Sequence, residues 1–290
     1  MQKRKFAVMT DSACDMMVDL EEKVDVDIVC FDITVDGKAY TERIDFDFDQ
    51  YYEMLRTCEG IPATSQITTF RFLEQFEKYE SRGVEDVLYV SINSTGSATN
   101  GNAQLAVEEF REKYPESRMN IEIVDSHSYS MTYGWYVAEA AKKLQNGAEF
   151  ADVVAWLNET FSKMEIVLAS YSLKFMKKSG RISAAAAFAG ELLGLKPIVS
   201  LIDGKSIVQK KVRGDKEIMP SLMEFAVSHI DDTYEYMVGG TDQEKIDQLA
   251  AQCSKKWKTP PLCTFKLGAA VSTNTGPDCV AIVYVGQPRR

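Results

Sequence analysis

The feature that most constrains the fold is a rhythm in the first half of the chain. Short apolar runs alternate with longer amphipathic segments. "KFAVMT" (5–10) and "DIVCFDITV" (27–35) read as strands. "DQYYEMLRTCEG" (49–60) reads as a helix closed by Gly60. "FRFLEQFEKYESRG" (70–83) spaces Phe72, Phe76 and Tyr79 along one helical face. A strand follows at "VLYVSI" (87–92), then a helix from about 102 to 114, a strand at "IEIVDS" (121–126) and a helix at "GWYVAEAAKKLQNG" (134–147). Strands that alternate with helices predict a mostly parallel sheet covered on both faces.

The rhythm changes after residue 163. "IVLASY" (166–171) reads as a strand and "ISAAAAFAGELLG" (182–194) as an alanine-rich helix. "KPIVSLIDGKSIVQKKVR" (196–213) reads as two strands joined at Asp203-Gly204, a strong hairpin signal. Helices follow near 216–230 and 242–256, and 264–286 reads as strand, polar loop, strand. A hairpin implies a mixed or antiparallel sheet. The expectation is therefore two α/β domains, residues 1–163 with a parallel sheet and residues 164–290 with a mixed one.

A net charge of -10 argues against nucleic acid as a partner, since phosphates want clustered Lys and Arg. The six cysteines form no C-x-x-C pair, so a zinc or redox motif is not expected, and neither is a metal or cofactor. Their reading is reduced, mostly buried thiols in a cytoplasmic protein. The basic N-terminus carries too short and broken an apolar run for a signal peptide. No stretch reaches the roughly 20 apolar residues of a membrane helix, so the chain is not expected to be integral to a membrane.

Four polar stretches sit at strand ends or helix starts: "TDSACD" (10–15), "ATSQ" (63–66), "STGSAT" (94–99) and "STNTGPD" (272–278). In open α/β sheets ligands gather at the carboxyl ends of strands. Ser, Thr, Asn and Asp also cap helices and turns everywhere, so each stretch alone can be a cap. Residues 91–106 hold hydroxyls, amides and two glycines but no charge. A triphosphate would want a Walker-type lysine, which is absent. A single carboxylate needs only two or three hydroxyl or backbone donors and a helix N-terminus. Nucleophilic catalysis is the competitor. Neither His127 nor His229 stands in a recognisable catalytic setting, and a serine without a placed base is a weak nucleophile. Asp11 after the first strand remains a candidate for an aspartyl-phosphate.

In number and order these stretches resemble the DegV-like bacterial fatty-acid-binding proteins. "TDSACD" is similar to the family's T-D-S-x-x-D, "PATSQIT" to its T-S-Q loop and "INSTGSATNGNAQLA" to its S-G-T loop. "VDSHSYSMTYGW", "LKFMKKSGRIS", "LGLKPIVSLIDGKSIVQKKVRGDKE" and "STNTGPD" resemble further family stretches over some 270 residues. The resemblance implies two α/β domains with a lipid between them and an acyl tail in a buried tunnel. It implies a carboxylate held by Thr64 and Ser97, helped by the Ala98 backbone, with Ser65, Asn274 and Thr275 in the same loops. It implies a non-catalytic carrier that presents its fatty acid to a separate fatty acid kinase, with Arg181 and Arg213 toward that partner. These arginines lie in two basic clusters, Lys174–Lys177–Lys178–Arg181 and Lys205–Lys210–Lys211–Arg213–Lys216. The family glycine of S-G-T is Ala98 here and the histidine of its closing loop is Asn274, a side chain that never carries charge. Two further readings stand beside the carrier: an enzyme acting on a small carboxylate or phosphate ester, and a lipid-responsive sensor that binds another protein.

Overall fold

A computed structural model of the chain describes residues 5–181 and 194–288. In chain order, β1 (Phe6–Asp11) leads through a 3-10 turn and α1 (Val18–Glu21) to β2 (Asp27–Val29), β3 (Asp32–Val35) and β4 (Lys38–Thr41). There follow α2 (Phe48–Thr57), β5 (Ala63–Ser65), α3 (Thr69–Ser81), β6 (Asp86–Ser91), α4 (Thr99–Lys113), β7 (Asn120–Asp125), α5 (Met131–Gln145) and α6 (Phe150–Phe161). The rest comprises β8 (Met164–Ser170), α7 (Leu173–Ser179), β9 (Leu195–Ile202), β10 (Lys205–Arg213), α8 (Ile218–His229), β11 (Tyr236–Gly240), α9 (Gln243–Trp257), β12 (Thr264–Lys266), α10 (Ala269–Thr275) and β13 (Cys279–Val285).

The chain forms two compact units. The first runs to Asp32 and resumes over Ser65–Ser162. Its sheet has the order β2-β1-β6-β7, parallel throughout. Every residue of β6 is buried, as a strand covered on both faces must be. Phe72, Phe76 and Tyr79 of α3 are fully buried, and Phe72 packs its ring 5.0 Å from that of Tyr89. The 3.6-residue spacing of those aromatics is what the sequence showed.

The second unit comprises Ile33–Thr64 and the chain from Lys163 onward. Its six-stranded sheet has the order β10-β9-β8-β13-β11-β12, antiparallel except for the β11–β12 pair. Asp203 and Gly204 join β9 to β10 with φ of 49° and 71°, the left-handed pair that this hairpin turn requires. A second sheet, β4-β3-β5, is carried by the 33–64 segment. Where the sequence reading has one boundary at 163, this segment instead packs with the C-terminal part. Tyr51 Oη meets Thr273 Oγ1 at 2.5 Å, Tyr52 Oη donates to Leu267 O at 2.6 Å, and Glu42 Oε1 accepts from Ala270 N at 2.9 Å. Ile33, Val35, Phe46, Tyr51 and Leu55 share a core with Phe175 and Ala269.

Three expectations differ from the structure. The run 27–35 is two strands in two sheets: at the break, Phe31 N donates to Ser12 Oγ at 2.9 Å and Cys30 O accepts from Arg71 Nη1 at 2.8 Å, so side chains take the bonds a ladder would have made. The helix expected to close at Gly60 ends at Thr57, with Cys58 extended (φ −63°, ψ 141°). Gly60 N donates instead to Asp36 Oδ1 at 3.0 Å. The polar stretch after β12, expected as a loop, is largely helix α10. The alanine-rich helix expected over 182–194 lies, but for Gly194, outside the described residues.

Candidate functional site

In the first unit the loops leaving β1, β6 and β7 are bonded to one another. Asp11 ends β1 fully buried. Its Oδ2 accepts from Ile92 N at 2.8 Å and Tyr89 Oη at 3.0 Å, and its Oδ1 accepts from Tyr133 Oη at 2.6 Å. Burial pushes the carboxyl up to about 6, against the pull of the Tyr133, Ile92 and Tyr89 donors. Asp15, at φ 50°, accepts from Ser130 Oγ at 2.5 Å. The first motif is thus a buried brace under the loops, and Asp11 has no exposed face for a substrate.

The 93–99 loop rests on that brace. Asn93 N donates to Ser128 O at 3.0 Å, and Ser94 N to Asp125 Oδ1 at 3.2 Å. Asn93 Nδ2 donates to Tyr129 Oη at 3.1 Å. A methyl at Gly96 would come within 1.8 Å of that hydroxyl, so glycine there is a condition of the close approach. Ser97 Oγ lies 3.0 Å from Thr99 Oγ1 and accepts from Thr99 N at 3.3 Å. Thr99 Oγ1 in turn accepts from Ile67 N at 3.2 Å, and Asn102 Nδ2 donates to Ile67 O at 2.7 Å. This draws the Ser65-Gln66-Ile67 segment to the start of α4, beside Ser97. Ala98 precedes α4 at φ −74°, an ordinary value for any residue, so the methyl that replaces the family glycine imposes no backbone strain. Ser97 is half-buried, and Ser65 and Ala98 are exposed. The first-turn N–H groups of α4 add donors of positive character.

In the second unit Thr64 is half-buried in β5. Asn274 is half-buried on α10, its Nδ2 donating to Ala270 O at 2.9 Å. Thr275 is buried, with its Oγ1 3.5 Å from Gly276 O. The bonds from Tyr51, Tyr52 and Glu42 fasten the segment that ends at Thr64 to α10 and the residues just before it. The two arginines stand apart. Arg181 is exposed, its Nη1 donating to Ser179 O at 2.9 Å, and its own carbonyl accepts from Ser206 Oγ at the start of β10. Arg213 is exposed at the other end of β10, roughly 23 Å along at about 3.3 Å per residue. They can share an extended face but not one ligand group.

His127 pairs with Asp125 at 3.2 Å and is half-exposed, while His229 stacks on Phe225 at 4.0 Å. Neither is hydrogen-bonded to Ser97, whose Oγ lies against Thr99. Among the described residues no group of three or more His, Cys, Asp or Glu is placed to hold a metal, and no helix is long and apolar enough to cross a membrane. No disulfide joins the six cysteines; burial pushes the thiols of Cys253, Cys263 and Cys279 up to about 12. Sequence reasoning missed Tyr129 and Thr99, which shape the loop without looking like site residues.

Hydroxyls and amides at the ends of parallel strands, with no Lys or Arg among them, define an α/β protein with an uncharged polar cradle. A family model described as "Uncharacterised protein, DegV family" matches residues 5–287, and the chain belongs to the DegV family. It is 29% identical over 293 residues to a DegV domain-containing protein of Clostridium perfringens, covering 99% of each chain. Its fold is similar to a fatty acid binding DegV family protein from Streptococcus agalactiae, with a TM-score of 0.84, 25% identity, and 99% and 100% of the two chains covered. A stearic-acid-binding protein from Eubacterium ventriosum gives a TM-score of 0.85 at 23% identity, with 96% and 97% covered.

Proposed function

We propose that this protein binds one long-chain fatty acid and holds its carboxylate with Thr64, Ser65, Ser97, Asn274, Thr275 and the backbone of Ala98. The observation that carries the reading is the uncharged cradle built from residues 93–99 and 65–67. It offers hydroxyl and backbone donors on a fixed support and no cation that would select a phosphate ester. The DegV relatives described as fatty-acid-binding support the same ligand class.

Energetics fit this division of labour. A tail of about 15 methylenes gains on the order of 12 kcal/mol on burial. Desolvating the carboxylate costs several kcal/mol, and ordering the chain subtracts more. The tail supplies affinity and the cradle fixes orientation. The protein is a carrier and not a catalyst in this reading. Asp11 is buried among its donors, and the neighbours of Ser97 Oγ are a hydroxyl and an amide, neither of them a base. The carrier presents its acid to a separate fatty acid kinase through an extended face that includes Arg181 and Arg213. Arg suits such a face because its planar fork pairs with carboxylate or phosphate.

A series of saturated acids tests the reading. Affinity measured by displacement of a fluorescent fatty acid should rise by about fourfold per added methylene until the tunnel is full. A flat series, or tighter binding of short acids and phosphate esters, would replace the carrier by a small-acid site.

A further inference from the structure

Gly96 lies in the middle of the 93–99 loop, yet its backbone does not call for glycine, because its φ is outside the left-handed range. What excludes a side chain there is Tyr129, from the loop after β7. A methyl at Gly96 would overlap the Tyr129 hydroxyl and come within 3.0 Å of its Cζ. The phenol therefore stands where residue 96 would carry a side chain of its own, one residue from Ser97. Atoms packed this closely have no slack, so the oxygen sets how near the loop can come to the end of β7.

The same oxygen holds the loop from a second side. It accepts from Asn93 Nδ2 at 3.1 Å. Asn93 is fully buried and is the hub of the loop. Its carbonyl accepts from Gly96 N at 3.2 Å and from Ser97 N at 3.1 Å, and its own N donates to Ser128 O at 3.0 Å. Its Oδ1 accepts from Thr95 N at 3.2 Å and Thr95 Oγ1 at 3.0 Å. Tyr129 orients the amide that gathers Thr95, on the residue whose carbonyl receives the Ser97 N–H. One phenolic oxygen thus acts on the loop through both Asn93 and Gly96. Every residue in this arrangement belongs to the first unit.

We propose that Tyr129 is a positioning residue of the head-group site, whose hydroxyl sets the loop so that Ser97 presents its Oγ to the carboxylate of the bound acid. This rests on the fatty-acid reading above and adds to it a residue that acts through Ser97. What the hydroxyl contributes is pre-organisation: a loop already held in place has less freedom to lose when the ligand arrives. Residues 96 and 129 then behave as one unit, in which a side chain at 96 is admitted only when the oxygen at 129 is removed.

The test uses the full chain, stripped of lipid and titrated with saturated acids of three chain lengths. Four forms are compared: wild type, Tyr129→Phe, Gly96→Ala and the double variant. Tyr129→Phe should weaken binding by about fivefold, the worth of one hydrogen bond, and by the same factor at each length. Gly96→Ala should weaken it by about tenfold or more, since its methyl overlaps the hydroxyl. Adding Tyr129→Phe to Gly96→Ala should restore affinity to that of Tyr129→Phe alone, because the overlap leaves with the oxygen and the backbone at 96 accepts alanine. Tyr129→Phe with a lowered lipid-free thermal midpoint and unchanged affinity would overturn the assignment, by making the residue merely structural. So would a double variant that binds no better than Gly96→Ala. A loss that grows with chain length would overturn it too, by placing Tyr129 against the tail. A wild type that takes up none of the acids would overturn the fatty-acid reading itself, and this assignment with it.

Discussion

Asp11→Ala is expected to destabilise the protein by about 3–5 kcal/mol, because three buried donors lose their acceptor at once. Ile92 N, Tyr89 Oη and Tyr133 Oη all converge on this carboxylate. Ile92 is also the residue before Asn93, so the loop that carries Ser97 should loosen with the fold. Urea unfolding would measure the loss, and a change under about 1 kcal/mol would contradict the brace. The same carboxyl makes a pH prediction. Its folded value, about 6, lies above the 3.8 of an exposed aspartate, and the folded state therefore holds the proton more tightly. The stability this contributes is present in full below about pH 4 and is lost as pH rises to about 6. The loss amounts to about 3 kcal/mol, from a pKa difference of roughly 2. Asp11→Asn cannot titrate. The stability difference between wild type and Asp11→Asn should therefore move by that amount across the window, in favour of Asn at higher pH. A pH-independent difference would contradict the buried titration.

Thr64→Ala combined with Ser97→Ala is expected to weaken fatty-acid binding by about two powers of ten. In the proposed head-group site each hydroxyl would donate to a charged acceptor, and each such bond contributes on the order of 1.5 kcal/mol. The fold should tolerate the pair. Thr64 is half-buried on a three-residue strand, and Ser97 gives up only its bonds with Thr99. Thr99 keeps its bond from Ile67 N, so the 65–67 segment should stay in place. Tail burial persists, and so the variant should still bind acids weakly, with the same dependence on chain length. Affinity equal to the wild type would remove both hydroxyls from the head-group site.

Elements held by local periodicity were legible in the sequence. The aromatic face of α3, the buried strand β6 and the Asp203-Gly204 hairpin each carry their signal within a dozen residues. Elements decided by distant partners were not. "DIVCFDITV" reads as one strand from its β-branched and aromatic residues, but Ser12 and Arg71 take its backbone groups at Phe31 and Cys30 and split it between sheets. The 33–64 segment goes with the C-terminal part because Tyr51, Tyr52 and Glu42 find partners more than 200 residues away. Helix α10 is written in Ala, Ser, Thr and Asn around a single Val271, and most of these residues also write loops. Its helicity shows only once Thr273 and Asn274 are seen bonding the carbonyls four back. The cradle was legible as chemistry, a run of donors without charge. Its geometry was not, since Tyr129 against Gly96 and Thr99 against Ile67 are contacts between separate stretches.

Native mass spectrometry of the protein as purified, followed by solvent extraction, tests the central claim most directly. The carrier reading predicts an excess mass of a few hundred daltons, one ligand per chain, which extracts as a long-chain fatty acid. A chain at its bare mass that also takes up no added fatty acid would contradict it.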